Sequence, residues 1–273
     1  MKRRALLIGI NKYTASIGSL RGSLNDVDLI KQLIVKNYNF DPENEIKLLL
    51  DEQATTENIL SEIDVLVADA QPGDVLFLYY SGHGAQILNE GFDLEEDGYD
   101  EILCPIDVNW RDKVIKDDQL QEQFSRVPPG VNLTVLLDCC YSGGNSDGQP
   151  IYDPAKLLLE DAEKTIRFAS SPLNENRVVG VRKTMIGGTS DALMISACRE
   201  DQLAHEAMIG TKVYGVATAY IVKILTDNHF DIDYQELIEK TAQEISTTRF
   251  YQDPVLSGPK QLFKNKFLKP FVI

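Results

Sequence analysis

Short, uniformly apolar runs alternate along this chain with stretches in which apolar residues recur every three to four positions. The runs at Arg4–Ile10, Glu45–Leu50, Asp74–Tyr80, Asn132–Asp138 and Asp191–Ala197 read as strands, most of them apolar enough to be buried on both faces. Between them, the spacing of Val27, Ile30 and Ile34 predicts a helix over Asn25–Tyr38. Thr55 and Thr56 can cap a second helix that carries Ile59, Ile63, Leu66, Val67 and Ala70 on one face and stops at Pro72-Gly73. A short helix near Leu120–Phe124, two amphipathic helices around Tyr214–Leu225 and Tyr234–Ile245, and a last short strand near the C-terminus complete the pattern. Two stretches break it. Gly91–Asp118 is acidic and turn-rich, and Ser142–Ser190 reads as a long loop with one helix near Ala155–Ile166.

Alternating strands and helices predict an α/β fold whose mostly parallel sheet is covered on both faces. In such sheets the functional site lies beyond the carboxyl ends of the strands. Composition changes little in this picture, with 43% apolar and 25% charged residues among 273. Charge changes more. The formal net charge of −15 disfavours nucleic acid and anionic membrane as partners and suits a basic substrate, a cation, or simply a solvated surface. No stretch approaches the roughly 18 consecutive apolar residues of a membrane span. The basic start, Met1-Lys2-Arg3-Arg4, leads straight into a strand, so a cytoplasmic protein is expected. Cys104, Cys139, Cys140 and Cys198 lack the paired spacing of a zinc site and are expected as free thiols.

The chemistry gathers at two strand ends. The third apolar run leads into Ser81-Gly82-His83-Gly84, and the fourth into Asp138-Cys139-Cys140-Tyr141-Ser142-Gly143-Gly144. As parallel neighbours these strands would bring His83 and one cysteine to the same sheet edge. An imidazole beside a thiol supplies the base that a cysteine nucleophile needs. Either residue alone would more plainly be a core cysteine or a satisfied histidine. Their joint placement among glycines favours catalysis.

"YYSGHGAQ" (Tyr79–Gln86) and "LLDCCYSGG" (Leu136–Gly144) resemble the paired histidine and cysteine motifs of the metacaspases, within the caspase-like peptidases. The likeness extends from "ALLIGINKY" and "LRGSLNDV" through "EDGYDEILCPID" and "DDQL" to "SACREDQLAHE", "GVATAYIVKIL" and "DPVLSGP". It is to the compact form without an N-terminal prodomain. The resemblance implies a caspase-like six-stranded, mostly parallel sheet between helices, in one peptidase domain over 1–273. Within it, about 1–144 would correspond to a large subunit, 145–190 to a mobile loop and 191–273 to a small subunit. Two departures are visible: Ser23 stands where a cysteine is common, and Tyr141 where a histidine is.

What the resemblance implies about the site follows residue by residue. Cys140, the second of the pair, would be the nucleophile and His83 its base, with the backbone N–H groups of Gly84 and Cys140 as oxyanion donors. Strand alternation sends Cys139 and Cys140 to opposite sides. Asp26, Ser81 and Asp138 would form an acidic pocket for Arg or Lys at P1, and none of the arginines that an Asp-cleaving caspase would use is expected there. Asp100, Asp117, Asp118 and Asp147 would bind Ca²⁺, whereas Asp93, Glu95, Glu96 and Asp97 read as solvated surface. Lys164, Arg167, Arg177, Arg182 and Lys183 offer self-cleavage sites in the long loop. The expected partners are basic protein or peptide substrates, and the expected working unit is a monomer. Two other readings stay open: a non-catalytic caspase-like scaffold, and a peptidase preferring Asn at P1.

Overall fold

The computed structural model describes residues 1–14, 16–88, 99–140, 165–169, 171, 192–199 and 202–271. Its centre is a six-stranded sheet in the order β12-β9-β7-β3-β1-β2, formed by β1 (Arg3–Gly9), β2 (Ile46–Leu50), β3 (Val75–Ser81), β7 (Asn132–Asp138), β9 (Leu193–Ser196) and β12 (Val255–Ser257). All neighbours are parallel except the edge strand β12, which runs antiparallel to β9. This is the mostly parallel, helix-covered sheet expected from the alternating pattern.

Side-chain alternation splits the core into two layers. Leu6, Ile8, Leu76, Leu78, Tyr80, Leu133, Val135 and Leu137 face α2 (Thr56–Val67) and α3 (Asp117–Ser125). Ala5, Leu7, Phe77, Tyr79, Leu136 and Ile195 face the opposite way, onto α1 (Ser23–Tyr38), α4 (Val216–Asp227) and α5 (Tyr234–Ser246). Local signals set the helix limits. Thr55 accepts the Asn58 N–H at the start of α2, and Asp233 accepts the Glu236 N–H at the start of α5. Asn39, at φ 57°, ends α1 in the left-handed conformation.

Two small antiparallel sheets were not anticipated. β4 (Gly84–Leu88), β5 (Tyr99–Leu103) and β6 (Ile115–Lys116) form one, so part of the stretch read as acidic loop is ordered strand. β8 (Thr165–Ile166), β10 (His205–Ile209) and β11 (Lys212–Gly215) form the other. The helix expected over Ala155–Ile166 lies outside the described residues except for Thr165 and Ile166, which are extended instead.

Candidate active site

The register of β3 on β7 pairs Ser81 with Asp138, so the residues just beyond both strands emerge at one sheet edge. There the two cysteines part. Cys139 enters the α2–α3 core layer, whereas Cys140 joins a separate cluster with Ala197, Cys198, Leu203, Ala204 and Ala217. Gly84 must be glycine, because a Cβ there would collide with the Cys140 carbonyl oxygen.

His83 is held by its backbone and by one ring nitrogen. Its N–H donates to Tyr13 Oη (3.1 Å), its carbonyl accepts from Tyr80 Oη (2.7 Å), and its Nε2 lies 2.8 Å from the Gly18 carbonyl oxygen. Nδ1 is buried with no hydrogen-bond partner among the described residues. Burial lowers the imidazole to about 4, and the Arg167 charge adds to this, so His83 is neutral at physiological pH. The Cys140 thiol is fully buried, accepting from the Ala204 N–H (2.7 Å) and donating toward the Ala204 carbonyl (3.4 Å). Burial first, and hydrogen bonding with Cys198 second, push this thiol well above its ordinary range. Both groups therefore rest neutral, the thiol on Ala204 and the ring on the Gly18 carbonyl.

Asp26, Ser81 and Asp138 do converge, on the α1–α4 side of the sheet edge, and all are fully buried. Between them sits a guanidinium. Arg167 Nη2 lies 2.6 Å from Asp26 Oδ2, and Nη1 donates to Ser81 Oγ (2.8 Å) while lying 3.2 Å from Asp138 Oδ1. Glu206 on β10 is a further carboxylate, with Oε2 3.7 Å from Nη2, and it also accepts the Arg21 and Gly22 N–H groups. The acids are held in turn. Gly215 N–H donates to Asp26 Oδ1 (2.9 Å), and Thr218 donates from both backbone (3.1 Å) and hydroxyl (2.5 Å) to Asp138 Oδ2. Burial raises Asp26 to about 7 even though the Arg167 charge pulls it down, with the Asp138 charge adding to the rise. A Cβ on Gly215 would strike Asp138 and the Arg167 guanidinium, so glycine there keeps the pocket open.

The Gly84 and Cys140 N–H groups also converge. Both donate to one oxygen, the Arg167 carbonyl, at 3.1 and 3.3 Å. Two preorganised N–H donors on one carbonyl are the geometry an oxyanion hole requires.

Of the four aspartates assigned to calcium, Asp100 lies on β5, Asp117 and Asp118 open α3, and Asp147 lies outside the described residues. Asp117 Oδ1 is buried with no hydrogen-bond partner among the described residues. Burial, then the charges of Asp118 and Asp100, raise Asp117 to about 6. Lys116 pairs with Asp100 at 2.5 Å. Among the described residues no group of three or more His, Cys, Asp or Glu side chains is arranged to hold a metal ion. The acidic residues Asp93, Glu95, Glu96 and Asp97 are likewise outside the described set.

Residues 3–148 match the family described as metacaspase, peptidase C14 domain. Metacaspase-1 of Emericella nidulans is 31% identical over 294 aligned residues, covering 97% of this chain and 72% of that relative. The chain belongs to the metacaspase family. The chain superposes on a crystal structure from Geobacter sulfurreducens with a TM-score of 0.69 at 19% identity, covering all of both chains. It superposes on caspase-1 of Spodoptera frugiperda at 0.58 and 14% identity, covering 94% of this chain and 86% of that one. Both likenesses speak to the fold, which is caspase-like. Metacaspases are cysteine peptidases, so protein or peptide substrates follow from the family.

Three features of this metacaspase escaped the sequence reading. An arginine does stand among Asp26, Ser81 and Asp138, contrary to the expectation that none would; it comes from the long loop, not from a strand-end motif. Glu206 had no assigned role because its motif, "SACREDQLAHE", carries several acids and the β10 pairing alone selects this one. The Gly18 carbonyl was invisible because any residue supplies a carbonyl. Lys164, Arg177, Arg182 and Lys183 lie outside the described residues, as does Tyr141. Among the described residues, no helix is long and apolar enough to cross a membrane.

Proposed function

We propose that the protein is an endopeptidase that cleaves after arginine or lysine, with Cys140 as nucleophile and His83 as base. The observation that carries this reading is the buried meeting of Asp26, Asp138, Glu206 and Ser81 around one guanidinium. A buried cation is tolerated only when paired and hydrogen-bonded, so such a pocket selects a basic side chain over Asp or Asn. In the reaction the substrate carbonyl occupies the two N–H groups of Gly84 and Cys140 while the basic side chain enters the pocket. The Cys140 thiol adds to the carbonyl carbon, and its proton passes through His83 to the leaving amine. Water then hydrolyses the thioester and restores the thiol. The Gly18 carbonyl holds Nε2, which orients the ring and leaves Nδ1 for the proton. One chain supplies every one of these groups, so the working unit is taken as a monomer.

Calcium and self-processing within 145–190 belong to the same proposal. Asp100, Asp117, Asp118 and Asp147 would hold the ion, and the fit rests on oxygen-only donors and on the unpartnered, buried Asp117 Oδ1. A bound divalent cation would neutralise carboxylates crowded at the start of α3, and Lys116 would have to release Asp100. Calorimetric titration with Ca²⁺ should show binding that Asp117→Asn weakens about tenfold or more. Equal affinity in the variant would remove Asp117 from the ligand set.

The buried, neutral thiol favours one competing reading, a non-catalytic scaffold. Fluorogenic peptides with Arg, Lys, Asn or Asp at P1, with calcium or chelator, separate the two. Cleavage after Arg or Lys that disappears in Cys140→Ala is expected. Preference for Asp would refute the pocket assignment, and no Cys140-dependent cleavage at all would favour the scaffold.

A further inference from the structure

His83 lies between two glycines, after β3 has ended at Ser81 and before β4 begins at Gly84, so its neighbours in sequence restrain its main chain little. The restraint comes from two phenols. Tyr13 and Tyr80 are buried among the apolar side chains of the α2–α3 layer, with their hydroxyl oxygens 3.2 Å apart. Tyr13 Oη accepts the His83 N–H, Tyr80 Oη donates to the His83 carbonyl, and the Cys104 carbonyl lies 2.9 Å from both hydroxyls. The Cys104 N–H in turn donates to the His83 carbonyl (3.0 Å). A Cβ on Gly82 would fall 2.6 and 2.7 Å from the two hydroxyl oxygens, so glycine there is what lets them come so close. Tyr13 also reaches the imidazole. The two rings meet edge to face with centroids 4.7 Å apart, and the Gly18 carbonyl on Nε2 belongs to the same loop after β1. That loop is tied down independently of the site. The Asn11 and Lys12 N–H groups donate to the buried Asp51 Oδ1 (2.8 and 3.0 Å), and the Leu20 N–H donates to the Asn11 carbonyl (2.9 Å).

We propose that Tyr13 and Tyr80 are positioning residues for His83, their hydroxyls fixing its main chain and the Tyr13 ring fixing its imidazole plane. The proposal rests on the reading of His83 as the base. Neither hydroxyl is bonded to a reacting atom, so both act through the histidine. The competing account makes them core tyrosines whose hydroxyls are merely satisfied. Apolar packing alone would be served by phenylalanine, which buries no hydroxyl in need of a partner. Here the partners are the N–H and carbonyl of His83 and the carbonyl of Cys104, which is itself bonded to His83. Burial pushes both phenols well above their ordinary range, so they stay neutral and keep their protons. The Gly18 carbonyl can only accept, so Nε2 carries the imidazole proton and Nδ1 is bare. A ring held in one plane keeps that single tautomer. A base displaced by about 1 Å loses about a hundredfold in rate, so freeing this ring should cost turnover and not binding.

The test uses whichever of the Arg, Lys, Asn and Asp fluorogenic peptides wild type cleaves best, well below each variant's unfolding transition. Tyr13→Phe and Tyr80→Phe should each lower kcat about tenfold while KM moves less than about twofold. Tyr13→Leu, which also loses the ring contact, should lower kcat about a hundredfold, so that phenylalanine partly rescues leucine. Tyr234→Phe removes a buried hydroxyl remote from the site and should leave both constants unchanged. Nitrogen-15 histidine NMR of Cys140→Ala reads the ring directly. His83 should be a single Nε2–H tautomer there, and adding Tyr13→Leu should average the two tautomers. Wild-type kcat in both Phe variants, or an equal loss in Tyr234→Phe, overturns the proposal and leaves His83 as the base. Should one Phe variant fail to fold, the other decides. Averaged His83 tautomers in Cys140→Ala alone would overturn the part given to the ring, whatever the variants do. Cleavage that needs Cys140 but survives His83→Ala, or no cleavage of any peptide, means that the reading of His83 as base has failed and the proposal with it.

Discussion

Asp26 is a buried carboxylate whose burial favours the protonated form and whose facing cation favours the ionised one, and this links the pocket to pH. With Arg167 present its value is raised to about 7, and removing the guanidinium takes away the contribution that lowers it. Emptying the pocket therefore shifts Asp26 upward, and a basic ligand that enters favours release of its proton. The sign follows: affinity for a guanidinium ligand should tighten as pH rises above about 7, the value Asp26 holds with a cation beside it, and should be flat well below that. Calorimetry of N-acetyl-arginine amide binding to Cys140→Ala carrying Arg167→Gln, in buffers of different ionisation enthalpy, should detect the released proton, and Asp26→Asn should abolish both proton and slope. A pH-independent affinity would mean that Asp26 is already ionised in the empty pocket. Gly215 sets the pocket's volume in the same way that Asp26 sets its charge. Gly215→Ala adds one methyl against Asp138, an overpacking cost of about 1–3 kcal/mol, and should raise KM for Arg peptides about tenfold with kcat less affected. The residues at strand ends were legible in sequence because the strand pattern itself delivers them to one edge. Arg167 was not, because nothing local separates it from the other basic residues of its loop. Its partner Asp26 lies 141 positions away, and only the folded chain selects it.

At the scale of elements, legibility followed hydrophobic purity. β3 and β7 are buried at every position, and their limits could be read almost to the residue. β4, β5 and β10 mix Gln86, Asp100, Glu101 and Glu206 into short antiparallel strands, and their order comes from tertiary pairing that no local pattern announces. Where α5 meets β7, the Tyr234 hydroxyl contacts Asn132 (3.0 Å) and Thr134 (2.5 Å) and accepts the Leu268 N–H (3.1 Å), all buried. Tyr234→Phe leaves these groups short of a partner and should destabilise the fold by about 1–3 kcal/mol in urea unfolding. Peptide cleavage well below the transition should be unchanged, since the site lies at the other end of β7. A loss of activity in the folded variant would show that this junction positions Asp138.

At the scale of the molecule, the net charge of −15 surrounds a pocket that takes a cation. Encounter with basic peptides should then be steered, so kcat/KM for Lys- and Arg-rich peptides should fall with added salt more steeply than for a peptide whose only charge is at P1. Equal salt dependence would confine the electrostatics to the pocket. The sheet order carries a different consequence. β9 is hydrogen-bonded to β7 on one side and to β12 on the other, so the central sheet contains strands from both sides of Arg167. A chain cut by the proposed self-processing within 145–190 becomes two polypeptides sharing one core, and its unfolding changes molecularity. Melting of the severed form should rise with protein concentration, as for a heterodimer, while the intact form melts at one temperature whatever its dilution.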